Sequence, residues 1–310
     1  YTTIDDPSAY FQTLLYTGNG SARSLTNDGN SDLQPDWIWI KERNNAVDHQ
    51  LQDSTRGVTK TLQSNQNYGE STLTDIVTAF NSDGFSLGNN ASWNGNNDTY
   101  VAWQWKANGG TTASNSSGSI TSTVQANTTA GFSIVTFSGN TTAGATVGHG
   151  LGVAPHYVQV KRRDRDGDAW RGFWEPLGNE KYLELNATDA QQDSTTGAWN
   201  DTSPTSSVFS LGSAAGINGG NMVAYCFAPI QGYSKFGSYT GNGNENGPFV
   251  YLGFKPQWIM FKNAGAAEEW VLQDTTRNPD NPVTKNIRVD SNIAEADASN
   301  LDIDFLSNGF

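Results

Sequence analysis

Pro35-Asp-Trp-Ile-Trp-Ile-Lys41, Pro155-His-Tyr-Val-Gln-Val-Lys161 and Pro256-Gln-Trp-Ile-Met-Phe-Lys262 are three copies of one strand. Each opens on proline and closes on lysine. With a side-chain period of two, Ile38, Val158 and Ile259 share a face with Ile40, Val160 and Phe261. Always apolar, that face is core. The opposite face carries Trp37, Tyr157 and Trp258, then Trp39, Gln159 and Met260. Its first position requires a large ring and its second tolerates glutamine. The pattern predicts a central sandwich strand with one face fully buried and one partly covered, and packing accounts for the rings.

Working outward, the same repeat shows in other landmarks. Tyr16-Thr-Gly-Asn-Gly20, Phe137-Ser-Gly-Asn140 and Tyr239-Thr-Gly-Asn-Gly243 precede the three strands. Leu51-Gln-Asp-Ser-Thr-Arg56 returns as Leu272-Gln-Asp-Thr-Thr-Arg277. Phe85-Ser-Leu-Gly88 returns as Phe209-Ser-Leu-Gly212, and Ser307-Asn-Gly-Phe310 begins a third copy. The closing strand Tyr100-Val-Ala-Trp-Gln-Trp105 matches Met222-Val-Ala-Tyr-Cys-Phe227. Internal repetition of this kind defines units that stack or pack on one another. The expected division is a lead-in over 1–10, repeat one over 11–108, repeat two over 131–236 and repeat three over 237–310. Residues 109–130, rich in Gly, Ser and Thr, read as a flexible linker. Repeat three stops short of a closing strand, so a continuing chain or another chain is expected to cover an open sheet edge. Alternating strands with frequent turn signals give the fold class: all-β, tandem antiparallel β-sandwich repeats of a jelly-roll-like kind.

Composition narrows the function classes. The chain of 310 residues carries a net charge of −13, and no basic run exceeds Lys161-Arg162-Arg163, so nucleic acid is not an expected partner. No apolar stretch approaches the roughly 20 residues of a membrane-spanning helix, and membrane insertion is not expected. Residues 1–6 show no signal-peptide pattern. A single cysteine, Cys226, excludes an internal disulfide framework. It falls on the closing strand where repeat one has Gln104, which suits a passive thiol.

Candidate chemistry is sparse. His49, His149 and His156 do not recur between repeats and form no metal-ligand spacing. His149 sits in Gly148-His-Gly150, which reads as a mobile loop unsuited to an oriented base. Asp53 with Arg56, and Asp274 with Arg277, have the spacing of an ion pair that pins a turn. Repeat two has Glu175-Pro-Leu-Gly178 instead, which favours a scaffold role. Asp164, Asp166, Asp168 and Glu175 fall at positions 1, 3, 5 and 12 of a calcium-loop window. Ala169 replaces the glycine such a loop needs, and an Asp166-Gly167 hairpin turn explains the same residues. No catalytic, cofactor-binding or metal-binding residue is therefore assigned, and no enzymatic activity is expected.

Several segments carry a family resemblance. Ile4-Asp-Asp-Pro-Ser-Ala-Tyr-Phe-Gln-Thr13, Tyr16-Thr-Gly-Asn-Gly20, Gly131-Phe-Ser-Ile-Val135, Val147-Gly-His-Gly-Leu-Gly-Val-Ala-Pro155 and the Ser-Leu-Gly and Ser-Asn-Gly-Phe signatures resemble repeat proteins of marine and cyanobacterial phages, described as tail-fibre-like or virion structural proteins. The resemblance implies a virion component that mediates attachment to a host surface glycan or envelope protein, beside other virion proteins, and it transfers no site residue. The open edge of repeat three and the apolar area of the partly covered face, with Trp39 and Met260, point to a homo-oligomer, and the resemblance to fibre proteins favours a trimer. The alternatives are a glycan-degrading enzyme of the tailspike kind, with Asp53 and a second carboxylate in a groove, and a cellular lectin-like adhesin.

Overall fold

Strand pairing begins at the proline-led segments. In the computed structural model, which describes residues 2–194 and 196–310, the first of them forms the strand Trp37–Glu42. It pairs on one side with the closing strand Thr99–Trp105 and on the other with the hairpin strand Gln50–Asp53. The opening strand Phe11–Thr17 lies beyond the closing strand. All neighbours are antiparallel, with Trp37 opposite both Trp105 and Asp53. A second layer of Arg23–Leu25, Phe85–Leu87 and Val77–Phe80 covers this sheet. Between the layers lie Leu14, Tyr16, Ile38, Ile40, Phe85, Trp93 and Tyr100. The isoleucine face is core, as the alternation requires.

Repeat two has the same plan. Its sheet runs Phe132–Asn140, Gly219–Phe227, Tyr157–Arg162, Arg171–Trp174, with Ala145–Gly148 and Val208–Leu211 as the second layer. The layers enclose Val135, Val158, Val160, Phe209, Leu211 and Ala224. Repeat three pairs Trp258–Phe261, Val271–Asp274, Lys285–Arg288 and Ala296–Asp297 in order. Val250 and Phe310 exchange both backbone hydrogen bonds, at 2.7 and 3.1 Å, the place held by Leu25 with Phe85 and by Val147 with Phe209. The helices flanking these sheets are single turns, Ala91–Asn94 and Ala215–Asn218. The chain is thus all-β, built of tandem antiparallel sandwiches.

The second face of each sheet corrects the sequence-based expectation. Along the proline-led strands of repeats one and two it is buried, as are rings facing it from the closing strands: Trp39 is 2% exposed, Trp103 0% and Tyr225 0%. The cover is supplied by the other repeats. Trp37, Trp39, Trp103, Phe132, Trp170, Tyr225, Trp270, Leu272 and Ile287, drawn from all three repeats, form one central core. The sheets of repeats one and two therefore serve two cores each, their own sandwich and the shared centre, to which repeat three contributes Trp270, Leu272 and Ile287. At about 25 cal/mol per Å² of apolar surface removed from water, these rings make the centre a major source of stability.

The linker reading of 109–130 is also overturned. Ala113–Asn115 and Ser122–Asn127 are strands that extend the sheet of repeat two, with Val124 opposite Val135. Ile120 and Val124 are buried in the core of that repeat. Gln125, fully buried, donates from Nε2 to Ser54 Oγ and Thr55 Oγ1 of repeat one, both at 2.9 Å. Threonine and serine here fill strand positions, and the apolar residues interleaved with them anchor the segment.

Candidate functional site

The residues that recur with fixed spacing converge where the repeats meet. The structural position preceding each hairpin strand holds His49, Trp170 and Trp270, and each reaches a backbone carbonyl of a neighbouring repeat. Trp170 Nε1 donates to Gln63 O at 2.8 Å, and Trp270 Nε1 donates to Glu184 O at 3.0 Å. His49 Nε2 lies 2.8 Å from Arg288 O. Repeat two thus binds repeat one, three binds two, and one binds three. Backbone bonds close the same cycle: Glu70 N–H to Arg163 O at 2.7 Å, Gln191 N–H to Ala264 O at 2.8 Å, and Glu295 N–H to Arg43 O at 2.8 Å. The three repeats are arranged about a pseudo-threefold axis within one chain.

His49 fits this role chemically. Trp39 Nε1 donates to its Nδ1 at 2.8 Å, which leaves the proton on Nε2 for the Arg288 carbonyl. Burial, reinforced by the charge of Lys41, pulls its pKa down to about 3, so the ring stays neutral. His149 corrects the mobile-loop reading. It is fully buried, its Nδ1 accepts from Leu151 N–H at 3.2 Å, and Nε2 lies 3.1 Å from Thr205 O. The flanking glycines, with Gly150 at φ +74°, permit a tight turn that inserts the ring.

At two junctions an acid–arginine cluster forms. Asp53 accepts from the Arg56 backbone N–H at 2.8 Å and pairs with the Arg56 guanidinium, so the pair pins its turn. Tyr225 of repeat two donates its hydroxyl to Asp53 Oδ2 at 2.7 Å, and Arg56 reaches Glu70 at 3.0 Å. Glu70 in turn takes a two-point contact from Arg163 of repeat two, at 2.8 and 3.0 Å. The second cluster repeats this with other partners. Asp274 accepts from Arg277, and from Trp103 Nε1 of repeat one at 3.0 Å. Glu295 bridges Arg277 and Arg43.

The electrostatics are those of closed networks. Burial opposes the Arg56 charge, but Asp53, Tyr225 and Glu70 outweigh it, and its pKa is raised. Burial alone would raise Glu70 and Glu295. Hydrogen bonds from Arg163 and Arg43, with the charges of Arg56 and Arg277, instead hold both below the ordinary glutamate range. With side chains of Asp53, Arg56, Asp274 and Arg277 at 0% exposure, none of these groups meets solvent. A general acid needs an open pocket and a proton to give, and these carboxylates are already saturated with donors.

The aspartate-rich loop separates its acids. Asp164 takes Arg162 at 2.6 Å, Asp168 takes Arg165 at 2.7 and 2.9 Å, and Asp166 accepts from Gly69 N–H of repeat one at 2.7 Å. Glu175 begins a separate 3-10 turn, Glu175–Leu177. Among the described residues no three His, Cys, Asp or Glu side chains are grouped to hold a metal ion. The loop is a hairpin that clasps residues 68–70, beside a shallow surface depression lined by Tyr68, Glu70, Arg163, Asp164 and Asp166. Tyr68 there is 51% exposed. Cys226 is fully buried, and burial pushes its thiol up to about 12.

Sequence reading found the Asp–Arg pairs but missed their partners. Arg43 and Arg163 stand at the same distance after their prolines, a spacing visible in the sequence. His49 escaped because it aligns with tryptophans, whose N–H it replaces without resembling them. Across residues 6–310 the chain matches the family model described as "Domain of unknown function (DUF7483)". No curated protein and no solved structure matches the chain.

Proposed function

We propose, for a chain that belongs to the family described as Domain of unknown function (DUF7483), a structural and adhesive role: a tail-fibre-like module of a virion appendage that meets the host surface without chemistry. The observation that carries this reading is the closed cycle of three repeats. Residues that would be candidates for catalysis are spent holding that cycle together. A single-chain ring with pseudo-threefold symmetry also suits a place in an appendage, where rigid modules follow one another along an axis. The depression beside Tyr68, between two repeats, is the first place to seek a glycan contact, since an exposed ring beside charged groups is a common way to hold a sugar face.

The test uses purified phage particles whose genome encodes the chain. Antibody raised against the protein is expected to decorate the particle surface in electron micrographs, and labelled protein is expected to bind host cells. Its absence from purified particles would contradict the reading. Incubation with host polysaccharide is expected to release no reducing ends; release abolished by Asp53→Asn would favour a glycan-degrading enzyme instead.

A further inference from the structure

Sheet order in the first two repeats is opening strand, closing strand, proline-led strand, hairpin strand. In repeat three the strand Trp258–Phe261 pairs with Val271–Asp274 alone, and among the described residues its other edge has no partner. Every residue of that strand is half-buried, whereas Trp37–Glu42 is buried throughout. On the far side of this edge, residues 235–240 occupy the place of an opening strand but form none, and Tyr239 is 48% exposed. An opening strand pairs with a closing strand in both other repeats, so without that neighbour it has nothing to pair with.

The central aromatic cluster marks the same place. In repeat one, Trp105 stands between Phe11 and Trp37, with ring centroids at 4.9 and 4.5 Å. In repeat two, Phe227 stands between Phe132 and Tyr157, at 4.7 and 5.6 Å. Repeat three supplies Phe236 and Trp258 in the outer two roles. Phe236 packs on Tyr157 at 6.1 Å and Trp258 on Phe11 at 6.5 Å, matching Trp37 on Phe132 at 5.9 Å. Both outer rings are therefore in their pseudo-symmetric positions, and the central ring is the missing member. The edge is continuous with the junctions already formed between the other repeats.

We propose that this edge is a strand-accepting site, whose occupant is an antiparallel peptide strand with the side-chain pattern of the two closing strands. Large rings at alternate positions face the centre, and small or apolar residues face the sandwich. The backbone of the strand pairs with Trp258–Phe261 on one side and with 236–240 on the other. Its last ring enters between Phe236 and Trp258, as Trp105 and Phe227 do in their own sheets. Trp174 holds the place of Asp53 and Asp274 at this junction, and its indole N–H is buried without a partner. The facing position of the strand is therefore served by tyrosine, whose hydroxyl can accept, as well as by its size. This is recognition by strand addition: main-chain bonds give affinity, and alternate pockets give register and selectivity.

The test adds to the 310-residue chain a synthetic peptide with the sequence of residues 219–227, Cys226 replaced by alanine and lysines appended for solubility. Amide hydrogen exchange at 236–240 and 258–261 is expected to slow about tenfold or more on saturation. A peptide with the same composition but its alternation shifted by one residue, which turns the rings to the wrong face, is expected to leave exchange unchanged. Equal protection by both peptides, or none by either, would overturn the proposal. So would a protein that sediments as a dimer with these amides already protected, since a second copy would then be the occupant.

Discussion

Tyr225 and Trp103 do at residue scale what the assembly does as a whole: each leaves its own sheet and bonds a buried aspartate of another repeat. Tyr225→Phe removes the donor to Asp53 and a contact with Arg56 while keeping the ring. A lost hydrogen bond to a charged group costs about 1.5–3 kcal/mol, and denaturant unfolding is expected to show a loss of that size with an unchanged slope. The pH dependence has two windows. His49 is held neutral in the folded protein down to about 3, whereas in the unfolded chain it takes a proton below its ordinary 6.5. Stability therefore falls as pH drops below about 6.5, by at most about 1.4 kcal/mol per pH unit from this one group. Glu70 and Glu295 are depressed in the folded state, so their contribution is present above the ordinary glutamate value of 4.5 and is lost as pH falls through their lower folded values. Thermal melts of His49→Gln are expected to flatten the slope between pH 7 and 5, leaving the part that buried His149 contributes, and to keep the slope below pH 4.5. An unchanged slope between pH 7 and 5 would show that His49 is not its source. The Asp–Arg pairs were legible because both partners lie within one turn. Tyr225 and Trp103 were not, because their partners lie 172 and 171 residues away in sequence.

At the scale of the element, the strands were legible wherever apolar residues alternate, and their second face was misjudged for one reason. A ring that faces a neighbouring repeat is indistinguishable in sequence from a ring that faces solvent through loops. Residues 109–130 were misread for the opposite reason: Gly, Ser and Thr dominate the composition, while Ile120, Val124 and Gln125 do the anchoring. The two segments with linker-like composition are expected to behave differently under brief treatment with a broad-specificity protease. Residues 113–115 and 122–127 lie in paired strands, and residues 241–247 are exposed and form no strand. Cleavage is expected within 241–247 first, with 122–127 resisting until global unfolding. Early cuts in 122–127 would contradict the strand assignment. The lysines that close the proline-led strands gain a reason here too. Lys41 donates to Glu42 O at 2.6 Å and Asn45 O at 3.3 Å, and Lys262 to Asn263 O at 2.8 Å and Ala266 O at 2.9 Å. They cap the carbonyls of the hairpin loop, and burial pulls the Lys41 amine down to about 8.

For the whole molecule, three sandwiches that would read as separate beads share a single centre. The apolar face bearing Trp39 and Met260, which suggested contact with other chains, is taken up by the other repeats of the same chain. Removing any repeat would strip cover from the remaining two, so cooperativity should extend across all three. Residues 6–108 alone would expose Trp37, Trp39, Trp103 and Trp105 and are expected to aggregate when expressed. The most direct measurement of this account is scanning calorimetry of the intact protein. A shared centre predicts one unfolding transition whose calorimetric and van't Hoff enthalpies agree, as for a single cooperative unit. Two or three resolved transitions, each with the enthalpy of one repeat, would show that the repeats fold independently and that the central core does not bind them.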